Sequence, residues 1–205
     1  MEKNKIGLFG GTFDPVHLGH TAVVAAAVKH IGAERAIFIP AKCSPLKSIK
    51  PVASDGERLE MIKLAIADLP NFEASDYELR KEGPSYTIET VKYFKEQYGG
   101  DVSIYWLMGS DVIEELVYWY KVTELIDLCN LSVMYRAGFP APDFSIFSEV
   151  FGEARIKKLQ QNVIPTPLVD ISSTEIRRRL PQGLDVGNML SGAVVEYINS
   201  HGLYK

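Results

Sequence analysis

A short apolar run, Ile6-Gly7-Leu8-Phe9, ends on Gly10-Gly11, and an alanine-rich apolar segment begins soon after Asp14-Pro15. Strand, tight glycine loop, then helix over residues 18–31 is the reading, and no other stretch limits the fold as strongly. Glycines lack a Cβ and let the backbone come close to a ligand, while the first N–H groups of a helix point at an anion with the dipole behind them. Gly10, Gly11, Thr12 and Phe13 are therefore read as a nucleotide phosphate loop. His17 and His20, three residues apart, share one face of the helix start. Their imidazoles can donate hydrogen bonds to phosphate oxygens as charge builds up there. The glycines stand at Gly7, Gly10 and Gly11, which is not the dinucleotide fingerprint, and no G-x-x-x-x-G-K-[ST] run occurs.

Gly32 ends the first helix, and residues 36–39 form a second strand stopping at Pro40. Short apolar runs then alternate with longer amphipathic ones. Strands are expected at 102–108, 131–135 and 163–169, and helices at 58–69, 88–98, 122–128, 147–161 and 189–200. Residues 72–81 are expected to contain extended structure. This alternation gives the fold class: α/β, a Rossmann-like, doubly wound, mostly parallel sheet with helices on both faces. Pro165 and Pro167 place the last strand at an edge. With 205 residues, 46% of them hydrophobic, one domain spanning 1–205 can build the core. A net charge of -4 argues against a nucleic-acid partner. Two cysteines make no disulfide framework, and no long apolar span or leader is visible, so the expected setting is cytoplasmic, with no membrane partner.

Ligands of such sheets bind beyond the carboxyl ends of the strands, which ranks the remaining candidates. Lys47, in the polar loop 41–53, is placed to meet a phosphate as a mobile charge. Glu82-Gly83-Pro84-Ser85-Tyr86-Thr87 leads into a helix and reads as a Ser/Thr cap with a second anion site, suited to a small carboxylate. Gly109-Ser110-Asp111 closes the buried 102–108 strand, with Trp106 in the core and Asp111 positioned to accept ribose hydroxyls. Tyr118 and Tyr120 are expected in the core. Arg136 ends a strand and is available to a phosphate. Ile171-Ser172-Ser173-Thr174-Glu175-Ile176-Arg177 joins helix-start hydroxyls to a guanidinium one turn on, a further anion site; Arg178 and Arg179 are expected to be solvated. A metal site built on His17 and His20, completed by His30 or a cysteine, is the weaker alternative for that pair.

The run GGTFDPVHLGH resembles the signature of the H-x-G-H nucleotidyltransferases, and its pairing with ISSTEIR, EGPSYT, GSD and Trp119 makes the chain look like the nicotinate-nucleotide adenylyltransferase family. The resemblance runs from Gly10 to Tyr204. It implies transfer of AMP from ATP to nicotinate mononucleotide, giving nicotinate adenine dinucleotide (deamido-NAD) and pyrophosphate. His17, His20 and Arg177 would be catalytic. Gly10, Gly11, Thr12, Phe13, His17, His20, Gly109, Asp111, Ile171, Ser173, Thr174 and Arg177 would bind ATP. Lys47, Ser85, Tyr86, Thr87, Trp119 and Arg136 would bind the acceptor, with Trp119 stacked on the pyridine ring. The family's Pro-His-Lys element is Pro45-Leu46-Lys47 here. No protein-held metal is implied; Mg²⁺ would arrive with ATP, and a homo-oligomer is compatible. The alternatives are a sister enzyme using another phosphorylated acceptor, such as phosphopantetheine or glycerol phosphate, and a nucleotide-binding protein without turnover.

Overall fold

A computed structural model describes residues 4–43, 50–136 and 141–205, with only the backbone of Arg136 described. These residues form one sheet of six parallel strands in the order β3-β2-β1-β4-β5-β6. The strands are β1 (Lys5–Gly11), β2 (Arg35–Pro40), β3 (Phe72–Ala74), β4 (Ser103–Gly109), β5 (Asn130–Arg136) and β6 (Val163–Thr166). The order reverses between β1 and β4, which pair in register with Leu8 opposite Trp106. A crevice opens at such a reversal, because the chain leaves its two strands toward opposite faces.

Alternate residues of each strand feed two cores. On one face Ile6, Leu8, Ile37, Ile39, Ile104 and Trp106 pack under α4 (Thr87–Gln97), α5 (Val122–Leu128) and α7 (Glu153–Gln161). On the other, Phe9, Phe38, Leu107 and Met134 pack under α1 (Leu18–Ile31), α2 (Asp55–Ile66), α8 (Ser173–Arg179) and α9 (Gly192–His201). Helices on both faces of a parallel sheet leave no strand facing water broadside, hence the near-continuous apolar runs. The doubly wound α/β class expected from the alternation is the architecture observed, and β6, carrying Pro165, is an edge strand.

Several boundaries differ for local reasons. Ser54 and Glu57 form the capping box, so α2 starts at Asp55 and has ended by Ala67 rather than running over 58–69. Within 72–81 only β3 is extended; α3 (Tyr77–Arg80) is a turn of helix. The helix expected over 147–161 is broken into α6 (Ser148–Phe151) and α7 at Gly152, whose φ of 76° is open to glycine and costly for other residues. The Ser/Thr cap expected at α4 is not made: its cap position is Tyr86, which has no side-chain cap bond. Ser191 caps α9, at Val194 N–H. No described helix is long and apolar enough to cross a membrane.

Candidate active site

The carboxyl ends of β1 and β4 open into a cleft of about 1270 Å³. Sixteen of the eighteen residues singled out in the sequence line it: Gly10, Gly11, Thr12, Phe13, His17, His20, Ser85, Tyr86, Thr87, Gly109, Asp111, Trp119, Ile171, Ser173, Thr174 and Arg177. Lys47 lies outside the described residues, and so does the Arg136 side chain, although the Arg136 backbone ends β5 as expected.

The phosphate loop owes its shape to side chains filling space where Cβ atoms would sit. A Cβ on Gly10 would stand 2.6 Å from the Trp106 ring, and one on Gly11 would stand 2.9 Å from the Phe13 ring. Phe13 itself takes a left-handed φ of 50°, uncommon for a non-glycine residue, and is 2% exposed with its ring edge-on to Phe9 and His20. Packing on both sides fixes it there.

His17 caps α1. Its Nδ1 accepts the His20 N–H and the His20 Nδ1 accepts the His17 N–H, each at 3.2 Å, with the rings stacked 3.6 Å apart. In the neutral form this leaves the proton on Nε2 of each ring, so both imidazoles are donors there. Burial pulls the His17 pKa down to about 4, outweighing its backbone bond, so His17 is uncharged at neutral pH. The alternative metal site finds no support in the donor set. No group of three or more His, Cys, Asp or Glu side chains comes together among the described residues, and His30 is exposed in the last turn of α1.

The second motif docks on the first. Ser172 caps α8 at Glu175 N–H, Ser173 Oγ donates to the Pro15 carbonyl at 2.9 Å, and Arg177 Nη1 donates to the Asp14 carbonyl at 2.6 Å. Arg178 is exposed, as expected, while Arg179 is half-buried; both hold the Glu175 carboxylate and pull its pKa to about 2. The sequence gives no hint that Asp14 is the hub beneath this docking. Its buried carboxylate accepts Val52 N–H at 2.8 Å, Ala53 N–H at 3.0 Å and the Tyr204 hydroxyl at 2.7 Å. Arg58, fully buried, props the same loop by donating to the Thr12 carbonyl at 2.6 Å.

The far end of the cleft is aromatic. Tyr118 and Tyr120, expected in the core, are 75% and 47% exposed and line the cleft beside half-buried Trp119. The reason is that residues 116–118 form a 3-10 turn and Trp119 is extended, so the helical spacing that suggested burial does not apply. Tyr86 packs against Tyr120 with ring centroids 4.5 Å apart. Ser85 is held by the loop after β2, its N–H on the Cys43 carbonyl at 2.8 Å and its Oγ accepting Lys42 N–H at 3.3 Å. Without a side-chain cap, the first turn of α4 faces this end with its helix-start amides. The Gly109 turn is kept close by Asp111, whose Oδ1 fills the space of a Cβ on Gly109.

Comparison with known proteins agrees with this geometry. The cytidylyltransferase-like family profile matches residues 8–179, from the phosphate loop into the second motif. A Dehalococcoides mccartyi protein named probable nicotinate-nucleotide adenylyltransferase is 37% identical over 206 residues, covering 100% of this chain and 98% of its own length. A Rhodopirellula baltica protein of the same name is 34% identical over 98% of this chain and 93% of its own. A solved Plasmodium falciparum nicotinic acid mononucleotide adenylyltransferase, complexed with NaAD, shares the fold with a TM-score of 0.72 at 20% identity, covering 98% of this chain and 97% of its own. Because the relatives align over nearly the whole of this chain and of their own length, the chain belongs to the nicotinate-nucleotide adenylyltransferase family.

Proposed function

We propose that the chain transfers AMP from ATP to nicotinate mononucleotide, releasing pyrophosphate and nicotinate adenine dinucleotide. The observation that carries this reading is the joining of the two motifs: Arg177, 163 residues from Asp14 in sequence, bonds the loop that begins at Gly10, so groups for one triphosphate converge at the β1–β4 crevice. The aromatic end with the open α4 turn then takes the acceptor, in line with the triphosphate.

A nonbridging phosphate oxygen of the mononucleotide attacks the α-phosphorus, and the bond from that phosphorus to the bridging oxygen breaks as pyrophosphate leaves. The nucleophile needs no base, because a phosphate monoester has its second pKa near about 6 and is largely dianionic at neutral pH. Catalysis is then a matter of holding two anions together and stabilising charge on the equatorial and leaving oxygens. Neutral His17 donates through Nε2 with His20 beside it, and Arg177, with Ser173 and Thr174, holds the leaving phosphates. Gly10, Gly11, Thr12, Phe13 and Ile171 form the walls for ATP, with Gly109 and Asp111 at its ribose. The chain's donors at this end are amides, hydroxyls, imidazoles and a guanidinium, a set that suits phosphate rather than a metal ion. A divalent cation, Mg²⁺ in this proposal, comes with the triphosphate and supplies charge neutralisation. Ser85, Tyr86 and Thr87 receive the acceptor carboxylate, Trp119 stacks on its electron-poor ring, and Lys47 and Arg136 meet its phosphate. One domain, residues 1–205, carries both substrates, and the free Cys43 and Cys129 accord with a reducing, cytoplasmic setting.

The test is pyrophosphate release from ATP and Mg²⁺ with nicotinate mononucleotide and nicotinamide mononucleotide in parallel. A large kcat/KM advantage for the acid is the expected result. Release with phosphopantetheine but with neither pyridine nucleotide would overturn the acceptor assignment, and ATP binding without release under any condition would overturn catalysis itself.

A further inference from the structure

Glu78 is a buried carboxyl that the mechanism above leaves unused. It stands in α3, is 3% exposed, and lines the acceptor end of the cleft with Ser85, Tyr86 and Thr87. Its Oε1 accepts the Thr90 hydroxyl of α4 at 2.6 Å, and the Ser85 hydroxyl lies close enough to the same carboxyl to favour its ionised form. Among the described residues no cation is within ion-pair distance of it: Lys81 pairs with Glu89, Lys42 Nζ is spent on the Lys81 carbonyl at 2.8 Å, and Arg35, the one charge of β2, pairs with Glu73. A buried carboxyl without a cation is a poor stabilising device, and its placement behind a pocket for another carboxylate calls for a use.

Hydrogen-bond direction supplies one. An ionised Glu78 accepts only, so it takes the Ser85 proton, and the Ser85 Oγ already accepts Lys42 N–H. Ser85 then has nothing to donate to an acceptor carboxylate. A neutral Glu78 can donate to the Ser85 Oγ, which turns the Ser85 proton outward and removes a negative charge from behind the pocket. Both effects favour an acid acceptor. An amide acceptor, which brings its own donors, gains from neither. We propose that Glu78, through Ser85, is the specificity-determining residue that sets the preference for an acid over an amide acceptor. This rests on the acceptor reading above. Burial, opposed by the Thr90 and Ser85 hydroxyls and by the charge of Lys81 and helped by that of Glu89, raises the Glu78 pKa above the ordinary glutamate value, which brings the neutral form toward working pH.

The experiment is the ratio of kcat/KM for nicotinate over nicotinamide mononucleotide, measured from about pH 5.5 to about pH 8.5 in wild type and Glu78→Gln. The two acceptors carry the same phosphate, so its titration and that of His17 cancel in the ratio. In wild type the ratio is expected to fall about tenfold as pH rises. In Glu78→Gln, whose amide stays neutral and still donates, it is expected to stay flat near the wild-type low-pH level. A ratio in Glu78→Gln that follows the wild-type curve, or a flat ratio in wild type, would overturn the inference alone. Absence of turnover with either acceptor in wild type would overturn the acceptor reading and the inference with it. Should Glu78→Gln not fold, Ser85→Ala decides: a flat, lowered ratio supports the relay, and a wild-type pH dependence refutes it.

Discussion

His17 does two jobs that pull on its protonation in the same direction. As the cap of α1 it must accept at Nδ1, and in its buried place it must be uncharged; protonation would spoil both. Its folded pKa, about 4, is below the unfolded value of 6.5, so between these values the unfolded chain binds more protons. Stability therefore rises with pH through that window, is complete above it, and is lost on acidification, by about 3 kcal/mol in total. Denaturation curves between about pH 4 and pH 7 check this, and His17→Asn, which can still cap but does not titrate, should lack that dependence. His20 is half-buried, and its ring stacks on His17 and abuts Phe13. His20→Ala is expected to lower kcat by about 10²- to 10³-fold while moderately changing the melting temperature. Wild-type kcat in that variant would take His20 out of the mechanism. Both histidines were legible as a pair in the sequence; their mutual capping was not, because it depends on the χ angles that the loop packing selects.

At the scale of elements, the helix starts divide into two kinds. α1, α2, α8 and α9 satisfy their own first turns with His17, Ser54, Ser172 and Ser191. α3 to α7 lack such a side chain, and α4 among them points its open turn at the cleft, where the proposed acceptor carboxylate would complete it. The Ser54–Glu57 capping box could be read from residue spacing, and the start of α2 follows from it. What α2 does for the site could not. Arg58 in its first turn reaches back to the Thr12 carbonyl and to Asp55, with its Nε buried and without a partner among the described residues. Arg58→Ala should cost about 2 to 4 kcal/mol, since it leaves a cavity and an unmet loop carbonyl, and should raise the KM for ATP. Chemical denaturation together with ATP titration measures both; an unchanged ATP KM would confine Arg58 to stability.

For the whole molecule, the Asp14 carboxylate is where distant parts of the chain meet. The loop at Val52 and Ala53 and the hydroxyl of Tyr204, 190 residues away, share its two oxygens, and its carbonyl takes Arg177. Losing one buried hydrogen bond to a charged acceptor costs about 1.5 to 3 kcal/mol, so Tyr204→Phe should lower the melting temperature. Because Asp14 also positions Arg177, kcat should fall with little change in acceptor KM, and adding Tyr204→Phe to Arg177→Lys should reduce kcat less than it does alone. Additive effects would separate the stabilising bond from the phosphate site. The sequence by itself determined the parallel α/β architecture, the glycine loop between β1 and α1, and the helix start at Ser173, because these rest on local rules: apolar period, glycine placement and helix-start chemistry. It misplaced Tyr118 and Tyr120 and was silent on Asp14, Arg58 and Glu78. Their roles were decided by tertiary structure alone, since burial and hydrogen-bond partners belong to residues brought together from opposite ends of the chain, and no spacing along the sequence records which side chains will meet.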